Sequence, residues 1–216
     1  MSTDGASEPR SYHHGDLRHA LIAAARRILE ERGSSAVSLR EVARTAGVSH
    51  NAPYRHFPTR EAMLAAVAME GFAELAQALR GAQAAGSLRA MGQAYVDFAL
   101  ANRGLFRLMF GEEIRKSGHP ALMETAQAAL SLLNTAIAPS GRWPERAATV
   151  AAWSLVHGLA QLILDGQLAD ELTDGPAREE LVRCAAGIFE TGLRAADQSW
   201  TPGPRAVGGH PDRGST

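Results

Sequence analysis

His50, Asn51, Tyr54, Arg55 and His56 crowd into one short stretch, each ending in a hydrogen-bond donor or acceptor, and the stretch offers little that would bury well. Asn and Arg side chains can pair with purine edges, and Tyr or His can reach phosphate oxygens. Chemistry of this kind recognises nucleic acid and makes no covalent bonds. Ser49, just ahead, adds a hydroxyl that can cap a helix and touch the backbone of a duplex.

These residues need an element that holds them outward, and the preceding residues supply one. Ser38 to Glu41 reads as a capping box, with the Ser38 side chain accepting from the Glu41 N–H and the Glu41 side chain returning to the Ser38 N–H. Val37 and Val42 occupy the positions of a hydrophobic staple. Leu39, Val42 and small Ala43 make an inner stripe, and Gly47 can take the left-handed conformation that ends a helix near Ala46. Val48 anchors the turn, and Ser49 is expected to cap a second helix carrying the recognition residues. Pro53 falls in the first turn of that helix, where its missing N–H is not needed. Ser38, at a helix N-terminus, is itself placed for a phosphate. Phe57 is expected in the core.

The segment and its flanks resemble the DNA-binding domain of the TetR family of bacterial transcriptional repressors. The resemblance rests on Asp16 to Ala25, Gly33, Val37 to Ala43, Ala46 to Ser49, Tyr54 to Phe57 and the helix opening Arg60-Glu61-Ala62-Met63-Leu64. It implies that Tyr54 contacts a phosphate, that His50, Asn51 and Arg55 meet base edges, and that Arg60, where the family usually has lysine, binds backbone. His56 completes the DNA-facing set. Tyr12 to Arg18 resembles one subgroup of the family. Ala152-Trp153-Ser154-Leu155-Val156-His157-Gly158 resembles a C-terminal domain named for its Trp, His and Gly, in which Gly158 would permit close helix approach.

Charge and composition agree. The net charge of −1 is unevenly spread, since residues 1 to 60 carry nine Arg against six Asp or Glu and the remainder is acidic. Cys184 is the single cysteine and reads as inert packing, which excludes an internal disulfide. The opening residues lack the apolar run of a signal peptide, and the apolar stretch around residues 147 to 164 is interrupted by Ser154, His157, Gly158 and Gln161, so a cytoplasmic protein without a membrane partner is expected.

The expected fold is all-α: a three-helix, helix-turn-helix DNA-binding domain followed by a helical ligand-binding and dimerisation domain. The divisions are a flexible arm 1–11 with the DNA-binding domain at 12–60, its motif at 38–57, a connecting helix 61–80, a regulatory and dimerisation domain 81–198, and a flexible tail 199–216. Arg10, His13 and His14 are expected to form an arm that adds nonspecific affinity for DNA or enters a minor groove. Helix one spans roughly 16 to 32, and the connecting helix is capped by Thr59 and runs to about Leu79. Beyond Ser87 the periodicity predicts helices near 87–102, 103–110, 119–137, 144–167 and 176–196.

Tyr95, Phe98, Phe106, Phe110, Met123, Trp153 and His157 are the candidate ligand-binding residues. They read as plain core on general grounds, whereas the family resemblance implies a small-molecule inducer or co-repressor among them. His157 reads as a satisfied histidine beside Trp153, one helical turn away. Val156, Leu159, Ile163, Leu181, Ile188 and Phe189 make the last two long helices more apolar than a small domain requires, which points to a four-helix homodimer interface. The reading is a ligand-responsive homodimeric repressor on a palindromic operator, needing no cofactor or metal. The alternatives are an activator of the same fold, or a helical ligand-binding protein or enzyme. A di-iron bundle would need Glu-x-x-His pairs, and the sequence contains none.

Overall fold

The computed structural model describes residues 14–84, 86–137 and 144–195, and all regular elements among them are helical. The arm with Arg10 and His13, and the tail with Trp200, lie outside the described residues. α1 spans His14–Arg32, α2 Leu39–Ala46, α3 Arg60–Gln83, α4 Leu88–Ala101, α5 Arg103–Phe110, α6 Pro120–Ile137, α7 Glu145–Leu164, α8 Asp170–Thr173 and α9 Gly175–Arg194. The sequence reading anticipates all but α8, and α3 runs one turn past Leu79.

α3 begins where Thr59 Oγ1 accepts from the Ala62 N–H at 3.0 Å. Its first half buries Met63, Leu64 and Val67 against Leu21, Ile22 and Phe57 in the N-terminal core, and its second half buries Phe72 and Leu75 among α4, α5 and α6. One stiff rod therefore belongs to both halves of the molecule. Its central window is apolar enough to cross a membrane by length and composition, but 61% of that window is buried inside the fold.

A second, polar connection is invisible in any local window. The Glu30 carboxylate at the end of α1 accepts from the Gly104 and Leu105 N–H groups at 2.9 Å each, so α1 caps the N-terminus of α5. Arg26 pairs with Glu74 and donates to Asn102 Oδ1 at 2.7 Å beside it. Gly104 makes this approach feasible, because a Cβ there would sit 2.9 Å from the Leu29 carbonyl oxygen. Gly104→Ala is accordingly expected to cost about 1–3 kcal/mol through overpacking and to loosen α1 from α5. Thermal unfolding together with amide exchange along α1 reads both effects, and unchanged exchange would show that the contact is not under tension.

α9 is seated on α4 by Glu190, buried between Arg89 at 3.0 Å and Arg194 at 2.6 Å. Gly92 on α4 allows Val156 of α7 and Ala186 of α9 to close over it.

Candidate nucleic-acid interface and internal cavity

Ser38 Oγ accepts from the Glu41 N–H at 3.2 Å, as the sequence predicts, and Gly47 takes φ 69° while the Val48 N–H reaches back to the Ala43 carbonyl at 3.0 Å. The return half of the capping box is absent. Glu41 turns to Arg32 at 2.5 Å and to Arg44 at 2.7 and 2.9 Å, and the Arg44 and Arg32 hydrogen bonds hold its carboxyl down at about 2. The charge-assisted pair outcompetes a neutral backbone donor that water can satisfy.

The expected second helix is a short 3₁₀ turn, Pro53–Arg55, preceded by a hydrogen-bonded turn from Ser49. Pro53 is the cause: without an N–H it cannot bond to the Ser49 carbonyl, which instead accepts from Ala52 at 2.9 Å. Ser49 contributes that carbonyl rather than a side-chain cap. Pro53 is itself buried, a role the sequence reading misses, in a turn that packs on α2, and Phe57 is buried beside α1, where Arg18 lies 5.5 Å over its ring.

This packing leaves His50, Asn51, Tyr54 and Arg55 on one rigid turn, with Tyr54 51% exposed and His56 half-buried against Phe57. His50 and Arg55 are exposed as well, and Asn51 stands at the outer rim of the same turn. Ser38 lies nearby in sequence, and its hydroxyl hydrogen remains free to donate. Arg40, which the sequence reading passes over, is exposed on the first turn of α2 with no carboxylate partner among the described residues. Arg60 is differently employed. Its guanidinium donates to the carbonyls of Val37 at 2.8 Å and Ser34 at 2.6 Å and to Glu113 at 3.2 Å, which ties the reading head to the segment after α5.

Between α3, α4, α5, α6, α7 and α9 lies an apolar cavity of about 300 Å³. Of the seven candidate ligand residues, Tyr95, Phe110, Met123 and Trp153 line it. Phe106 is fully buried behind the wall, against Phe110 at 4.9 Å and His157 at 5.3 Å, and Phe98 is buried elsewhere in the core. His157 also stands back from the wall, with Nδ1 2.8 Å from the Tyr95 hydroxyl, which the Trp153 indole N–H approaches at 3.3 Å. Burial and the nearby Lys116 charge push the His157 imidazole below its usual range, so the neutral ring accepts from Tyr95 through Nδ1. These three polar groups satisfy one another.

The candidate interface residues divide as well. Val156 and Phe189 turn inward to the cavity, while Leu159, Ile163 and Leu181 are half-buried and Ile188 is 77% exposed. A Cβ at Gly158 would meet nothing within 4 Å, so the glycine serves no close approach within the chain. Gly158 lies with Leu162 on the open side of α7. Cys184 is exposed, its thiol donating to Glu180 Oε1 at 3.0 Å, and is not core packing.

Comparison with known proteins gives a consistent answer. The sequence model for bacterial regulatory proteins of the tetR family matches residues 21–67, and that for a tetracyclin repressor-like C-terminal domain matches residues 88–196. A structure from Rhodococcus sp. RHA1, described as a protein of unknown function, is 35% identical over 86% of this chain and 100% of its own, with a TM-score of 0.73. A bacterial regulatory protein in the tetR family, from Rhodococcus RHA1, is 22% identical over 82% of this chain and 95% of its own, with a TM-score of 0.59. The TetR family transcriptional regulator PfmR from Thermus thermophilus is 20% identical over 80% and 98% of the two chains, with a TM-score of 0.58. No curated protein matches the chain. The reading motif and the C-terminal bundle are both matched, and the chain belongs to the TetR family of DNA-binding transcriptional regulators, which are not enzymes.

Proposed function

We propose that this protein is a cytoplasmic homodimeric repressor that binds a palindromic operator and releases it when a small molecule enters the cavity. The observation that carries the DNA contact is the rigid turn that presents Asn51 and Tyr54 together while burying Pro53 and Phe57 beneath them. Asn51 and Arg55 read base edges, His50 assists, and Tyr54 with Ser38 and Arg40 holds phosphates.

The outward side of α7 and α9 supports pairing of two copies. Only 28% of the apolar window in Arg146–Leu164 is buried within the chain. Gly158 and Leu162 on α7, with Leu181 and Ile188 on α9, form a face whose glycine would let a partner helix approach closely. A two-fold pair would hold the heads over half-sites about 34–36 Å apart.

Two routes connect cavity to head. α3 presents Phe72 and Leu75 to the cavity and roots its other end beside the reading turn, while α5 presents Phe110 to the cavity and is held at its N-terminus by Glu30. An effector that favours a shifted α3 or α5 favours a different head position, and by linkage operator DNA weakens effector binding by the same factor.

Asn51→Ala and Tyr54→Ala test the DNA reading on an operator duplex and a scrambled one across a salt series. Asn51→Ala is expected to lose about 1–3 kcal/mol of discrimination, and Tyr54→Ala to weaken both duplexes alike. Both proteins should keep wild-type helicity, because neither side chain belongs to the core. Undiminished operator preference in Asn51→Ala refutes its role in base reading, and salt-insensitive binding refutes phosphate contact altogether.

A further inference from the structure

We infer that the effector is a monoanionic amphiphile, an apolar body carrying one carboxylate, whose head group is held by Lys116. This rests on the reading of the cavity as the effector site. The wall is built from apolar side chains of six helices together with Tyr95, Trp153, Gln127 and Lys116, and Lys116 is the one charged residue in it among the described residues. The other polar groups give little recognition. Tyr95 and Trp153 are already bonded to each other, and Tyr95 to His157.

Lys116 is half-buried, with its Nζ 5.9 Å from the centre of the Phe110 ring, and no carboxylate pairs with it among the described residues. Arg107, by contrast, already has an acidic partner in Asp165 at 3.0 Å. Burial lowers the Lys116 ammonium from the usual lysine range, with no acidic neighbour opposing it. A half-desolvated cation facing an apolar chamber is best satisfied by an anion that brings its own apolar body. One lysine matches one negative charge, whereas a phosphate-bearing ligand would call for a second cation.

The test compares decanoate, decanol and decyltrimethylammonium by isothermal titration on the full chain, in the wild type, Lys116→Met and Ala126→Trp. The wild type should bind decanoate on the order of tenfold more tightly than decanol, and decyltrimethylammonium most weakly. Lys116→Met should abolish the preference for decanoate while decanol affinity holds. Ala126→Trp, which fills the cavity from α6, should weaken decanoate and decanol together. Decanol binding equal to decanoate, or a decanoate preference surviving Lys116→Met, overturns the assignment and leaves the cavity in place. Binding that Ala126→Trp does not touch, or no binding by any probe, overturns the effector site itself and this inference with it. Wild-type melting curves for both variants would show that lost binding is not lost folding.

Discussion

Phe106→Ala should destabilise the protein by about 3–5 kcal/mol, lowering its melting temperature by roughly 10 °C or more, because the ring is fully buried and the space it vacates has no side chain free to refill it. Phe106 packs edge-on against Tyr95 with ring centres 5.8 Å apart, and lies 4.9 Å from Phe110 and 5.3 Å from His157. Its loss would leave the Tyr95–His157 hydrogen bond unsupported on one side. Met123, in the cavity wall and 36% exposed, provides the contrast. Met123→Ala removes an apolar side chain that already borders empty space, and should cost under about 1 kcal/mol. Calorimetry on the two variants decides between core and wall. Equal losses would mean that Phe106 also borders the cavity.

Ile188→Glu should abolish dimerisation without unfolding the chain. The side chain is 77% exposed in the single chain, so a carboxylate there costs the isolated fold almost nothing. In a two-fold pair each copy would bury that carboxylate against the partner's apolar face without a cation, and the penalty is counted twice. A dimer weakened by at least about a hundredfold is expected. Sedimentation should show folded monomers at concentrations where the wild type is dimeric, and operator affinity should fall because one head supplies only part of the contacts. A dimeric Ile188→Glu protein with wild-type helicity would place the interface on another face.

Local signals are strong wherever a structural decision depends on residues a few positions apart. Ser38 and Thr59 cap α2 and α3 because a hydroxyl three residues ahead of a free N–H is sufficient for the purpose. Gly47 ends α2 because glycine alone carries no side-chain penalty at φ 69°. The same short range misleads twice. Glu41 has a local backbone partner within reach, while Arg32, nine residues earlier, is the stronger one. Pro53 reads as harmless from its place in a helix, and its burial depends on how its turn packs on α2.

The aromatic residues of α5 show why the cavity is only half legible. Phe106 and Phe110 are identical in type and one turn apart, yet one is sealed in the core and the other forms the wall. Nothing along the chain distinguishes them, because the difference lies in the packing of helices distant in sequence around α5. Lys116 and Arg60 cannot be separated either: both are cations at helix boundaries, but Arg60 meets two carbonyls and a glutamate whereas Lys116 meets a ring and the cavity.

The all-helical fold, the reading motif and the family are legible along the chain, since helix periodicity, caps and a contiguous recognition turn are encoded within a few residues of one another. The tertiary structure alone decided which aromatic rings border space, that Gly158 faces outward, and that Glu30 joins the reading head to α5. Each of those depends on contacts between residues distant in the chain, as with Glu30 and Gly104, 74 positions apart, whose meeting is set by the packing of whole helices.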